Sequence, residues 1–273
     1  MSILLHVLAC ALYAALGAHF FRTRWRGGAG AAELKPWERA AILVPLALQS
    51  WLLYHDLLGG PTLRFGFAHA LSLMMWLAVL FYWVQGFFYS LPGMFAIVLP
   101  VAAATVLLPP VFPGFEAPPY TSTVEFRLHL FVAMLAYSLF AMAALQAALM
   151  LPLERRLHRG DLRGPAAGLP PLLTLEAMLF RIIGLGFLFL TLTLAAGAVF
   201  SEELFGRAFP LNHKTLFGVI SWVIFGGLLV GRHFRGWRGR RALHWTLAGF
   251  AVLLLAYVGS RFVLEVILGR SLA

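Results

Sequence analysis

His129 stands in Glu125-Phe126-Arg127-Leu128-His129-Leu130-Phe131-Val132, at the start of an apolar run from Leu128 to Leu153. A run of that length reads as a membrane-spanning helix, because a hydrocarbon core of roughly 30 Å needs about 20 apolar residues. An ionisable side chain in such a segment is costly and marks a functional site by default. His213, in Pro210-Leu211-Asn212-His213-Lys214-Thr215, opens a second such run. If both helices start at one face of the membrane, the two imidazoles lie at similar depth. Two imidazoles at one level suit a haem iron or another soft-to-borderline metal.

Other side chains are placed for related chemistry. His69, in Gly66-Phe67-Ala68-His69-Ala70-Leu71-Ser72, lies about one turn inside a third run, and it is the reserve ligand. Arg261 and Glu265 are spaced i, i+4 and share a helix face. They read either as an interfacial ion pair or as a site where Arg261 meets an anionic group such as a haem propionate, whose carboxylate matches the guanidinium fork. Arg127 beside His129 is a second propionate candidate. Plainer readings stand next to these: His129 as a helix-end imidazole bonded to a carbonyl, His213 as a cap or loop residue. Ala133 and Ala136 continue the His129 face and leave room for a flat cofactor or for another helix. His55 adjoins Asp56, and His19 and His244 lie near the opposite face, as a pair or as interfacial residues. The single cysteine, Cys10, excludes an intrachain disulfide, a Cys-x-x-Cys redox pair and a cysteine-rich metal cage. Phosphate-binding loops, dinucleotide fingerprints, His-Glu-x-x-His and Ser-His-Asp spacings are all missing from the sequence.

The elements that must position these residues follow from composition. The chain is 61% hydrophobic and 12% charged, with a mean hydropathy of +0.86; soluble domains carry about 25% charged residues. In lipid the backbone must satisfy itself within helices or closed barrels. The apolar runs here are continuous rather than alternating, so the expected fold is all-α: a polytopic membrane protein, residues 1–273 forming one integral membrane domain. Eight spans are expected, at Ile3–Phe21, Ala40–Leu58, Phe65–Val84, Gly93–Val111, Leu128–Leu153, Leu179–Phe200, Thr215–Val230 and Leu243–Leu268. The first reads as a helix rather than a signal peptide. It has no basic segment before it, and Arg22, Arg24 and Arg26 follow it.

The formal charge of +10 would suit nucleic acid or anionic lipid, and position decides for lipid. Five basic residues fall on or beside each of loops one, five and seven, fifteen of the 21 in the chain. Loops two, four and six carry Asp56, Glu116, Glu125, Glu202 and Glu203. With eight spans the positive-inside rule puts the basic loops in the cytoplasm and both termini outside it. His129, His213, His69 and Arg261 then share the extracytoplasmic end. The proline-rich loop from Pro109 to Phe126 is expected to cap that end. The Gly236-Trp237-Arg238-Gly239-Arg240-Arg241 turn is a cytoplasmic headgroup contact.

The second half resembles the haem-handling cytochrome c assembly superfamily of CcsA, CcmC and CcmF type, especially its short, YpjD-like inner-membrane branch, with HemX-like relatives. The stretches that carry the resemblance are Leu128-His129-Leu130-Phe131-Val132-Ala133-Met134-Leu135-Ala136-Tyr137-Ser138, Leu188 to Gly197, His213 to Trp222, the Gly236 to Ala242 turn, and Ala256-Tyr257-Val258-Gly259-Ser260-Arg261. The resemblance implies that His129 is an axial haem ligand. In the larger relatives the haem lies against a Trp-Gly-x-x-Trp-x-Trp-Asp segment. Here Phe209-Pro210-Leu211-Asn212-His213-Lys214-Thr215 stands in place of the Trp-Asp-Pro-Lys-Glu-Thr before the seventh span. Their second outer histidine has no match near Leu268; His213 in that role is an inference from position.

The expected function is therefore a haem-handling inner-membrane protein of c-type cytochrome biogenesis or haem homeostasis, without turnover of its own. His129 and His213 would be the axial ligands of haem b, His69 the reserve, and Arg261 and Arg127 the propionate partners. Expected partners are lipids, haem and other biogenesis proteins, not nucleic acid. The alternative is a membrane scaffold or assembly partner that keeps the fold without the cofactor.

Overall fold

A computed structural model describes residues 2–26, 33–59, 64–88, 91–115, 123–158, 171–205 and 213–268. All of the described elements are helical. They are α1 (Ser2–Phe20, prolonged by a π-helical turn to Arg26), α2 (Pro36–Leu58), α3 (Phe67–Gln85), α4 (Pro92–Val106), the short α5 (Leu108–Val111), α6 (Val124–His158), α7 (Leu172–Phe205), α8 (His213–Arg235) and α9 (Arg240–Leu254). The chain continues beyond α9 through Ile267 in π- and α-helical turns. Among the described residues, eight helical segments are long and apolar enough to cross a membrane. The described residues therefore agree with the expected all-α architecture and supply eight candidate spans.

The helices overrun the expected spans where their ends are polar. α6 begins at Val124 and reaches His158, and α7 runs from Leu172 to Phe205. Hydropathy marks the part that lies in lipid, whereas the backbone ladder continues into the interface. The fourth span is interrupted: α4 ends at Val106, Leu107 turns, and α5 carries Pro109 and Pro110, which have no N–H to continue a ladder. Other starts have local causes. Pro36 and Pro92 occupy first helical positions, where the missing N–H costs nothing. The Glu38 carboxylate accepts the Lys35 N–H at 2.8 Å, the reciprocal arm of a capping box.

α6 is the pivot of the bundle. It packs against α7 and α9 on one side and α3 on the other, while α3 adjoins α2 and α4, and α1 lies against α2 and α4. Lipid tails are as apolar as leucine, so close packing and interhelical hydrogen bonds must hold the helices together. Small residues supply the first. A Cβ on Gly17 would lie 2.8 Å from the Pro100 ring, one on Gly186 would lie 3.2 Å from Phe140, and one on Gly249 would lie 2.9 Å from Phe225. Phe140 and Phe225 stack at 3.8 Å between centroids.

Hydrogen bonds supply the second. Tyr13 donates to Gln49 Oε1 at 2.7 Å, and Gln49 Nε2 donates to the Ser72 carbonyl and hydroxyl at 3.1 and 3.0 Å, joining α1, α2 and α3. Tyr82 donates to the Met142 carbonyl (α3 to α6), Gln146 to Leu175 (α6 to α7), Ser221 to Gly249 (α8 to α9) and Tyr137 to Leu253 (α6 to α9).

The bundle has two chemically distinct ends. One carries the starts of α6 and α8 and is called here the His129 end. The other is rich in arginine. There Glu38, fully buried, accepts from Arg24 at 2.7 Å and lies 2.9 Å from His19 Nε2. His19 thus pairs with Glu38, and His244 on α9 is exposed, so these two histidines do not form the pair considered above. Also at this end, Gly236 (φ 62°) and Gly239 (φ 60°) take left-handed conformations that favour glycine. They fold Trp237 back onto Gly231, whose backbone it touches closely enough to exclude any Cβ. Arg232 pairs with Glu176 at 2.6 Å beside this turn.

Candidate functional site

His129 sits in the second turn of α6, on the stripe that continues through Ala133, Ala136 and Phe140. Those three are buried, and His129 is half-buried. Its ring lies over Gly197 of α7, where an added Cβ would approach Cε1 to 3.3 Å. Its Nδ1 is buried and has no hydrogen-bond partner. An imidazole in that state is unusual, since buried polar atoms are almost always satisfied. It is a lone pair or a proton without a partner, beside a backbone bare of side chain.

Register shows what lies level with it. α6 and α9 run antiparallel and are tied by the Tyr137 hydroxyl on the Leu253 carbonyl at 2.9 Å. Eight residues from that bond toward the His129 end lie His129 on α6 and Arg261 in the helical turns that continue α9. α7 and α8 are likewise antiparallel, with Gly218 against Leu194, which puts Gly197 level with the first turn of α8. One layer of the bundle therefore contains His129, Gly197, the start of α8 and Arg261.

In the first turn of α8 the helical phase separates two neighbours. Gly218, Ser221, Phe225 and Leu228 form the buried stripe of α8, and Lys214 is one turn before Gly218 on that stripe. Lys214 is half-buried, with Nζ 6.0 Å from the centre of the Tyr257 ring. His213, one position earlier, is exposed. The structure thus brings Lys214, rather than the expected His213, to the inner side of α8. The spacing from Lys214 to Gly218 and Ser221 carried the signal, but which side of α8 is inward is visible only once its neighbours are known.

Arg261 is buried, its Nη1 3.8 Å from Glu265 Oε1 and its Cζ 5.7 Å from the Tyr257 ring centre. The pair expected from the i, i+4 spacing faces the bundle rather than lipid. The Glu265 carboxylate reaches across to α3, where its Oε2 accepts the Phe67 N–H at 3.4 Å. It is pressed against Gly66, leaving no room for a Cβ there. Phe65 on Tyr257 and Phe67 on Phe262 complete this junction of α3 with the last span. Arg261 Nε and Glu265 Oε1 are buried without hydrogen-bond partners. Arg127, in the first turn of α6, is exposed.

His69 is buried in the first turn of α3, and its Nδ1 has no hydrogen-bond partner. The segment after α5 folds over it: Gly114 (φ 69°) touches the Gly66 backbone, and Phe112 packs on Phe67. The proline-rich connection thus covers this end in its described part, and residues 116–122 lie outside the described residues. His6, near the start of α1, is buried and paired with Asp56 at 3.1 Å. Asp56 in turn lies 3.5 Å from His55. No group of three or more His, Cys, Asp and Glu side chains among the described residues could hold a metal ion by itself. A single imidazole with a planar organic chelate makes no such demand.

Comparison with known proteins agrees with the resemblance read from sequence. The family model described as Cytochrome C assembly protein matches residues 35–268. The inner membrane protein YpjD of Escherichia coli (strain K12) is 30% identical over 175 residues, 63% of this chain and 65% of that protein. The cytochrome c biogenesis protein CcsA of Trichormus variabilis is 40% identical over 86 residues, 32% of this chain and 24% of that protein. A 28.8 kDa protein of Azospirillum brasilense, encoded in a nifR3-like 5' region, is 34% identical over 142 residues, 52% of each chain. The alignments thus span just under two thirds of YpjD and about a quarter of CcsA. No solved structure matches.

Proposed function

The chain belongs to the cytochrome c assembly protein family, and on that premise we propose that it is a haem-handling protein of the bacterial inner membrane. Membership of the family supports a role in cytochrome c biogenesis, as does likeness to CcsA, itself named for that process. Eight apolar helices and likeness to an inner membrane protein support the location. Both termini lie outside the cytoplasm in this reading, so the His129 end is extracytoplasmic. The support is the concentration of basic residues on the loops at the opposite end. Its partners are membrane lipids, haem and other proteins of cytochrome c biogenesis.

The observation that carries the reading is the buried, unpartnered Nδ1 of His129 above Gly197. The residues fit haem b: an imidazole with an unpartnered ring nitrogen to ligate, a glycine whose bare backbone seats that ring, and two cations, buried Arg261 and half-buried Lys214, at the same level. Haem b, when bound, supplies the iron chemistry, while the protein sets ligation, burial and access. His129 is the axial ligand in this proposal. His213, at the rim of the same end, is the second ligand, and His69 under its cover is the reserve. Arg261 receives a propionate inside the bundle, and Arg127, exposed in the first turn of α6, is the second propionate candidate. The protein binds or relays haem and has no turnover of its own.

The test is the optical spectrum of the purified protein, alone and after addition of haem b. A Soret band that is lost in His129→Ala supports the reading. A protein that stays colourless with added haem and co-purifies with a membrane partner overturns it in favour of a scaffold that keeps the fold without the cofactor.

A further inference from the structure

We infer that Lys214 and Arg261 act together as a two-cation clamp for the carboxylates of the bound ligand, with Glu265 holding Arg261 until they arrive. This inference rests on the haem reading, and it adds what selects an acidic tetrapyrrole over an uncharged one.

Charge balance is the first argument. Two cations, Lys214 and Arg261, approach one aromatic ring, Tyr257, to 6.0 and 5.7 Å. Glu265 is the carboxylate that pairs with Arg261. Lys214 has no carboxylate partner among the described residues; its described neighbour is the ring. A cation–π contact offsets part of the cost of removing an ammonium from water, yet a second anion is what such a pair lacks.

Geometry is the second argument. The Arg261–Glu265 separation of 3.8 Å is beyond hydrogen-bond reach, and both Arg261 Nε and Glu265 Oε1 remain unpartnered though buried. The pair is loosely held in a place where buried polar atoms are normally satisfied. Glu265 has a second anchor at the start of α3, the Phe67 N–H, where a negative charge is favoured by the helix terminus. It can therefore release Arg261 to an incoming carboxylate without losing every partner. Position is the third argument. Both cations lie in the layer of His129, on α8 and on the helical turns that follow α9, so a ligand held by His129 meets them with its acidic edge.

The experiment uses the purified full chain in detergent, titrated with haem b and with haem b dimethyl ester, both followed by Soret absorbance. The ester keeps the ring and iron and removes the carboxylates. The clamp predicts that the ester binds at least about tenfold more weakly, the effect of one charge-assisted hydrogen bond. Lys214→Met should weaken haem binding by a similar factor and leave the ester unchanged, and Lys214→Arg should restore discrimination. Glu265→Gln, which removes the competing carboxylate, should tighten haem binding and not ester binding. Equal affinity for haem and ester overturns the clamp while the haem reading stands. So does a Lys214→Met variant that loses both ligands equally. Binding of neither ligand overturns both.

Discussion

The His129 imidazole rests on the bare backbone of Gly197, so closely that a Cβ there would stand 3.3 Å from Cε1. This contact sets α6 on α7 at the level of the candidate site. It also explains a glycine in a helix interior, where glycine costs roughly 0.5–1 kcal/mol relative to alanine. Gly197→Ala should leave the fold intact and weaken haem retention, whereas Gly197→Leu should abolish it by displacing the ring. Absorbance of the purified variants with added haem checks this; full retention by Gly197→Leu would show that the contact is only structural.

Gln49 links Tyr13 to Ser72 across three helices. Gln49→Leu keeps the size and removes all three bonds, leaving the Tyr13 hydroxyl buried in an apolar core. Interhelical bonds in membranes average about 0.6 kcal/mol and reach about 1.7 kcal/mol. A loss of about 1–3 kcal/mol is expected, measurable by unfolding in mixed micelles, with the Soret response unchanged at low temperature.

Glu38 holds Arg24, His19 and the Lys35 N–H with one carboxylate. Removing one partner of a buried ion pair typically costs about 3–5 kcal/mol, because the other charge is left uncompensated. Glu38→Ala should therefore give poor membrane accumulation, and Glu38→Ala with Arg24→Met should recover part of it. Quantitative immunoblotting of membrane fractions decides; a Glu38→Ala protein accumulating at the wild-type level would show that water reaches Arg24 freely.

The arginine-rich end should face the cytoplasm. Reporter domains fused after Leu268 should be active only as extracytoplasmic reporters. Fusions within residues 159–170 should be active only as cytoplasmic ones. The reverse pattern would invert the site and put His129 on the cytoplasmic face.

Much of this protein is local in origin and so was legible in its sequence. The count of eight spans follows from apolar length against bilayer thickness, which each segment satisfies alone. His129 stood out because an imidazole in an apolar run has no local justification, and Arg261 with Glu265 because i, i+4 neighbours share a face in any helix. The inward side of each helix is another matter. In water, amphipathicity would reveal it. In a membrane, the lipid-facing and core-facing sides are both apolar, and the pattern loses its contrast. Only the assembled bundle places Lys214 inward and His213 at the surface, or lays His129 on Gly197 from another helix. The same holds for Asp56 with His6, and for Glu265 on the start of α3, partners far apart along the chain. The tertiary structure decided these contacts because helix association in lipid depends on close packing and a few interhelical hydrogen bonds, properties of pairs of surfaces that no single segment contains.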